Sequence, residues 1–297
     1  MSSNHEQRKA RLYDRARQYY LLTRLNRPIG IFLLLWPTLW ALWIAGEGRP
    51  DTLVLLVFVA GVVLMHSAGC VINDYADRKV DRHVRRTQER PITAGGVRPG
   101  EALGLFVVLC LAAFALVLLM NRLTIYLSFV AVALAVAYPF MKRYTYLPQA
   151  VLGMAFSMAV PMAFAAQTGE VPQIAWLVYV VSVLWTVAYD TMYAMVDRED
   201  DLKVGIKSTA ILFGEADRLI IGFVQATVIL GLLLLGRQLS LGVPYTLGVM
   251  VALALSLYQQ YLIWGRKPEA CLKAFINNAW LGAAVFAGLV AHYLMPA

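Results

Sequence analysis

Apolar residues in this chain come in long unbroken runs. They show neither the strict alternation of a half-buried strand nor the one-sided stripe of a surface helix. Nine runs can be marked, at 29–45, 52–72, 103–120, 123–140, 147–166, 172–195, 219–236, 242–263 and 274–294. Several are near the ~20 residues an α-helix needs to cross a bilayer. The pattern predicts an all-α polytopic membrane protein with nine transmembrane helices. The connections differ in length: 46–51, 121–122, 167–172 and 238–240 are short, whereas 73–101 and 197–218 are long. Long connections within a compact fold tend to carry function. Residues 1–28 form a basic lead-in to an intramembrane domain at 29–297, and no cleavable leader is expected. Within that lead-in, 2–18 reads equally as an interfacial helix or as a plain anchor.

Composition agrees with this pattern. The 297 residues are 60% hydrophobic and 15% charged, where a soluble domain is roughly half apolar and a quarter charged. The net charge of +8 would suit nucleic acid, but the placement of the basic residues does not. Of 26 Lys and Arg, all but Arg49, Arg122 and Arg237 fall in the N-terminal tail or after the second, fourth, sixth and eighth runs. That asymmetry puts the N-terminus and both long connections in the cytoplasm and the C-terminus outside. The partner it implies is a lipid bilayer, with no nucleic acid. Cys70, Cys110 and Cys271 are scattered and match neither a zinc spacing nor a disulfide framework. His66, alone in an apolar run, reads as a packed polar residue rather than a ligand.

Two acid clusters stand out against this background. Asn73, Asp74, Asp77 and Asp81 follow the second run, and Asp190, Asp197 and Asp201 end the sixth. If the helix continues past Ile72, Asp74, Asp77 and Asp81 share a face at i, i+3 and i+7. Asp190, Asp197 and Asp201 do so at i, i+7 and i+11, with Tyr193 along that face. Acids at the ends of spans are costly and mark sites; the plain alternative is that they pair with Arg78, Lys79, Arg82 and Arg198. Clustered carboxylate oxygens suit Mg2+, which takes a few carboxylates plus phosphate oxygens. Such a cation beside a bilayer would stabilise a departing diphosphate. Arg24, Arg27, Lys142, Arg143, Lys203 and Lys207 flank the clusters, and each could bind phosphate or simply anchor the chain.

The strings Asn73-Asp74-x-x-Asp77-x-x-x-Asp81, Tyr138-x-x-x-Lys142 and Asp197-x-x-x-Asp201 together resemble the UbiA superfamily of intramembrane prenyltransferases. The longer strings at 69–79, 138–145 and 189–198, with Leu34-Leu35-Trp36-Pro37 and Tyr258-Gln259-Gln260, are similar to the bacterial branch that prenylates 4-hydroxybenzoate for ubiquinone. The resemblance implies a nine-helix bundle around a central cavity with a cytoplasmic cap, in the bacterial inner membrane. It implies Mg2+ held by Asn73, Asp74, Asp77, Asp81, Asp197 and Asp201, with polyprenyl diphosphate and 4-hydroxybenzoate as substrates. Tyr138, Lys142 and Arg143 would touch the diphosphate or the aromatic acid. Asn73, Arg24, Arg78, Tyr193, Lys203 and Lys207 would contact substrate. Asp190, nearest the apolar interior, would orient or deprotonate the phenol. Two rival readings are a CDP-alcohol transferase, whose Asp-Gly and Ala-Arg elements are missing around Asp74 and Asp197, and a cation-coupled transporter. A transporter's acids should lie near the midplane, whereas these sit at run ends beside arginines.

Topology is directly testable. A reporter fused after Ala297 should lie outside the cytoplasm, and one inserted near Gln88 or Ser208 inside. A cytoplasmic C-terminal reporter would remove one of the nine spans.

Overall fold

The computed structural model describes residues 2–83 and 86–295. Arg85 of the first long connection and the terminal Ala297 lie outside the described residues. Twelve α-helices follow one another: α1 (Ser2–Leu22), α2 (Ile29–Ala45), α3 (Thr52–Asp77), α4 (Pro99–Val117), α5 (Arg122–Met141), α6 (Pro148–Ser157), α7 (Ala159–Thr168), α8 (Gln173–Val204), α9 (Thr209–Phe213), α10 (Asp217–Gln238), α11 (Val243–Leu262) and α12 (Pro268–Leu294). Among the described residues there is no strand. Each of the nine apolar runs is helical. Eight stretches are long and apolar enough to cross a membrane, and α2, at 17 residues, is a shorter apolar helix.

Local chemistry sets the boundaries. Asp51 caps α3 by accepting from the Val54 N–H at 3.0 Å, and Asn121 caps α5 through Thr124 at 3.0 Å. Prolines open α4, α6, α11 and α12, where their missing N–H costs no hydrogen bond. Gly169 and Gly205 stop α7 and α8 at φ 82° and 73°, in the left-handed region that glycine enters without strain. The run expected at 147–166 is one stretch broken at Met158 into α6 and α7. Pro161 explains the break: it has no N–H for the Ser157 carbonyl four residues back, and its ring crowds that turn.

The helices close a ring. α2 packs on α3, α3 on α4, α4 on α5, α5 on α6, α6 on α8, α8 on α10, α10 on α11, α11 on α12, and α12 returns to α2. α7 lies against α2 and α5. The main core sits where α2, α8 and α12 meet. Trp40 and Trp185 stack there at 5.3 Å, with the Trp40 indole donating to the Gly282 carbonyl at 3.1 Å and that of Trp185 to Asn278 Oδ1 at 2.8 Å. A polar ladder ties α10, α11 and α12: Gln225 donates to Gln259, Gln260 to Gln225, and Gln259 to Asn277, at 2.8, 2.8 and 3.0 Å. Amides inside an apolar bundle need such mutual satisfaction. Outward faces carry exposed Leu, Val and Phe, as on α4 and α5, which is what lipid contact requires.

α11 and α12 approach each other at two glycines. A Cβ on Gly248 would lie 2.6 Å from the Ala284 carbonyl oxygen and 3.1 Å from the Gly288 Cα. Gly248→Leu should therefore separate the pair and destabilise the protein by about 2 kcal/mol, as overpacking does. Thermal unfolding in detergent measures this, and a wild-type Tm would refute the close approach.

Candidate active site

The ring encloses a cavity of about 770 Å³ whose wall is mostly apolar, contributed by α2 to α8 and α12. Its polar end carries Arg24, Asn73, Asp74, Arg86, Arg90, Tyr138, Asp190 and Tyr193. A smaller cavity of about 140 Å³ shares Asn73, Arg86, Arg90, Tyr138, Asp190 and Tyr193 with it, and adds Asp77, Asp81, Lys142, Asp197, Asp201 and Lys207. Most of the residues singled out from sequence thus meet at one place, although they come from helices far apart in the chain.

Two helix ends build this place. α3 continues beyond its apolar run to Asp77, and after a turn a short 3-10 helix, Asp81–His83, presents the third acid. The expected stripe therefore holds through Asp77 and is carried on by a tighter turn. α8 is unbroken over 32 residues, so Asp190, Asp197 and Asp201 do share a face. Asp74, Asp77 and Asp81 are 2%, 2% and 5% exposed, which demands compensation.

That compensation comes largely from arginines in the first long connection. Arg90 bridges Asp74 and Asp81 at 3.0 and 2.9 Å. Arg24 donates to both oxygens of Asp74 at 3.1 and 3.0 Å. Arg86 holds Asp197 through two bonds, at 3.0 and 2.5 Å, donates to the Tyr193 hydroxyl, and lies 4.7 Å over the Tyr193 ring. Lys142, just past the end of α5, pairs with Asp77. Burial raises the Asp81 carboxyl above its ordinary pKa; Arg90 pulls it back, and Asp77 and Asp74 push it further up.

Three predicted residues, Arg143, Arg78 and Lys203, lie elsewhere, and a fourth, Lys207, turns its ammonium to a backbone carbonyl. Arg143 donates to the Ala76 carbonyl at 2.7 Å and flanks Phe140. Arg78 folds back on the Tyr75 carbonyl and ring. Lys203 is exposed and pairs with Asp200 at 3.1 Å. Lys207 lines the smaller cavity, but its ammonium donates to the Tyr144 carbonyl at 3.3 Å. His66 is buried in the wall of the larger cavity, with its ring 3.5 Å from Cys70 Sγ. Sequence reading passed over Arg86 and Arg90 as loop charge. Their spacing of four residues, in the same connection as the acids, was the available signal. Phe275 of α12 was missed too; its ring is 4.7 Å from that of Tyr193, and nothing in its apolar run distinguishes it.

The site also fits a hard cation. Asp77 Oδ1 is buried without a hydrogen-bond partner among the described residues. Among the described residues no three His, Cys, Asp or Glu side chains converge as a ready-made metal site; the acids are instead held by arginines and Lys142.

Comparison with known proteins agrees. The chain is 63% identical over 281 residues to the 4-hydroxybenzoate octaprenyltransferase of Methylococcus capsulatus, covering 95% of this chain and 96% of that one. It is 62% identical to the protein of the same name from Alkalilimnicola ehrlichii, covering 94% and 95%. Among solved structures, the apo UbiA homolog of Aeropyrum pernix K1 superposes with a TM-score of 0.78 at 25% identity, over 88% of this chain and 97% of that one. The UbiA homolog of Archaeoglobus fulgidus bound to GPP and Mg2+ shares the fold, with a TM-score of 0.69 at 18% identity over 92% and 99%. Residues 34–285 match the UbiA prenyltransferase family, and with the fold and the two acid-bearing helix ends already described, this chain belongs to that family.

Proposed function

We propose that this chain transfers a polyprenyl group from polyprenyl diphosphate to the ring carbon ortho to the hydroxyl of 4-hydroxybenzoate, a membrane step of ubiquinone biosynthesis. The observation that carries the reading is the junction of the two cavities. An apolar chamber meets an acid- and arginine-lined pocket at Asn73, Arg86, Arg90, Tyr138, Asp190 and Tyr193. An isoprenoid tail belongs in the first and its diphosphate in the second. The name carried by relatives 62–63% identical over nearly the whole chain supports the same substrate pair.

Asn73, Asp77, Asp81, Asp197 and Asp201 would hold Mg2+, with Asp74 on the chamber side. Bound there, the ion neutralises the charge that grows on the departing diphosphate. Arg86, Arg90 and Lys142 fix the acids and offer donors to the phosphate oxygens. As the carbon–oxygen bond to diphosphate breaks, the allylic carbon becomes cationic. The apolar chamber keeps water from capturing it. The ring carbon of 4-hydroxybenzoate attacks, a carbon–carbon bond forms, and the ring proton leaves. Asp190 lines both cavities, and we assign it to orient the phenol or accept the proton. Tyr193 and Tyr138 border the reacting atoms. Arg24, whose Nη2 holds Asp74, and Arg27 stand at the chamber's polar end as candidates for the benzoate carboxylate. Arg143, Arg78, Lys203 and Lys207 would act from the rim, through the backbone and neighbours they hold. The topology that serves this chemistry has α2 as a ninth span, the N-terminus and both long connections in the cytoplasm as a cap, and the C-terminus outside, in a bacterial inner membrane. Residues 1–28 precede a single catalytic domain at 29–297.

Membranes supplied with labelled 4-hydroxybenzoate and a polyprenyl diphosphate should form a prenylated lipid only with Mg2+ or Mn2+, and chelator should abolish it. Ca2+, with its looser and larger shell, should support little. Turnover undiminished by excess chelator would refute the metal reading.

Asp77→Ala and Asp197→Ala should each lower kcat by at least about 100-fold, because a carboxylate of the leaving-group site is lost, while the protein still inserts and melts cooperatively. Arg86→Ala should raise the KM for the diphosphate substrate more than that for 4-hydroxybenzoate. Product assays paired with detergent melting curves check both, and normal product from either acid variant would refute the two-helix site.

A further inference from the structure

Outside the cavities, one carboxylate gathers more partners than any single ion pair requires. Asp217 opens α10 and is 0% exposed. It accepts from Arg198 of α8, from Arg266 Nε at 3.1 Å to each oxygen, and from the Arg218 N–H at 2.6 Å. Arg266 stands between α11 and α12 at φ 51°, a left-handed conformation that a non-glycine residue adopts only when its surroundings hold it there. It also donates to the Glu215 carbonyl at 2.7 Å. Arg218 donates to the Trp264 carbonyl at 2.6 Å and lies 4.3 Å over its ring. Three segments, α8, the start of α10 and the α11–α12 connection, are thus pinned through Asp217.

What it pins on α8 is informative. Arg198 lies between Asp197 and Asp201 in sequence and about 100° around the helix from Asp197, so it reaches α10 while the acids face α3. Among the described residues, Arg198 has no carboxylate partner besides Asp217, and its Nε is buried without a partner. The last apolar contacts of α8 in this region involve Met192, Met195 and Val196. Beyond them, two ion pairs tie the last two turns of α8 to other elements: Arg198–Asp217 on one side and Arg86–Asp197 on the other.

The geometry points to Asp217 as a positioning residue for the metal–diphosphate site: through Arg198 it sets the angle at which α8 presents Asp197 and Asp201 to Asp77. This inference rests on the metal reading above. A purely structural role would make metal binding follow stability, and the two can be separated. In the full-length protein in nanodiscs, Mn2+ binding is measured by electron paramagnetic resonance, with and without inorganic pyrophosphate, alongside Tm.

D217N leaves Arg198 without a charged partner and Arg266 with only the exposed Glu215 carboxylate at 3.1 Å, and should lower Tm and weaken Mn2+ binding about tenfold, the usual cost of losing an outer support of a metal site. D217E keeps both arginines paired but sits one methylene further out; it should melt like wild type and bind Mn2+ about threefold more weakly, below that range. R266Q should lower Tm as D217N does, yet bind Mn2+ normally, because Arg198–Asp217 remains. The KM for 4-hydroxybenzoate should be unchanged in D217E. Wild-type Mn2+ binding in D217E, or binding that follows Tm across the series, overturns the assignment, even if D217N fails to fold. Absence of Mn2+ binding by the wild-type protein would instead refute the metal reading, and this inference with it.

Discussion

Three carboxylates from one short stretch of chain, Asp74, Asp77 and Asp81, are almost wholly buried at the foot of an apolar helix. Burying one ionised group unpaired costs several kcal/mol, so much of the surrounding architecture follows from supplying partners. The first long connection turns back beneath the bundle to place Arg90 between two of the acids. The N-terminal helix ends where Arg24 can reach Asp74. α5 stops at Lys142, beside Asp77. The same demand on α8 brings Arg86 to Asp197. The pairs are mutual: each acid fixes a base, and the bases fix the connections, leaving a pocket lined by both signs of charge at the mouth of an apolar chamber. A diphosphate with Mg2+ is the ligand class suited to such a lining, since each side of the pocket already matches one of its two charges.

The apolar chamber depends on a different constraint. A closed ring of helices leaves its centre open unless large side chains fill it. Here the bulk is spent on one side, where Trp40, Trp185, Tyr189 and Phe275 pack together. α3 and α5 also contribute small residues to the lining, Gly61, Gly69, Ala131 and Ala135, which leave space beside larger ones such as Phe58 and Val132. The Pro161 break adds to this, since two short helices occupy the place of one straight rod.

Much of this was legible in the sequence, because length and apolarity are strong signals for membrane helices. The nine runs become helices, and the acids of α8 and of α3 through Asp77 follow helical spacing, whereas Asp81 falls on a separate 3-10 turn. Boundaries were less accessible. α3 and α8 extend five and nine residues beyond their apolar runs, since polar residues at a helix end carry no hydrophobic signal. The division of α6 from α7 could have been read from Pro161. The partners of Arg86 and Asp217 could not, because a charge in a connection acquires its partner only in three dimensions. Arg143 shows the converse: a basic residue beside a site motif need not point into the site, and this one supports the Ala76 carbonyl of α3 instead.

The sequence distance between paired charges also bears on the order of synthesis. Arg90 meets Asp81 nine residues earlier in the chain, so that pair can form as soon as the connection emerges. Lys142 reaches Asp77 across 65 residues, and Arg86 waits 111 residues for Asp197. At translation rates of about 5–20 residues per second, the second interval lasts roughly 5–20 s. The α3 end of the pocket is therefore neutralised by its own neighbourhood at first and acquires its distant partners only as later helices insert. A nascent chain halted before α8 would carry the first acid cluster, already paired, and an Arg86 with no Asp197 to hold.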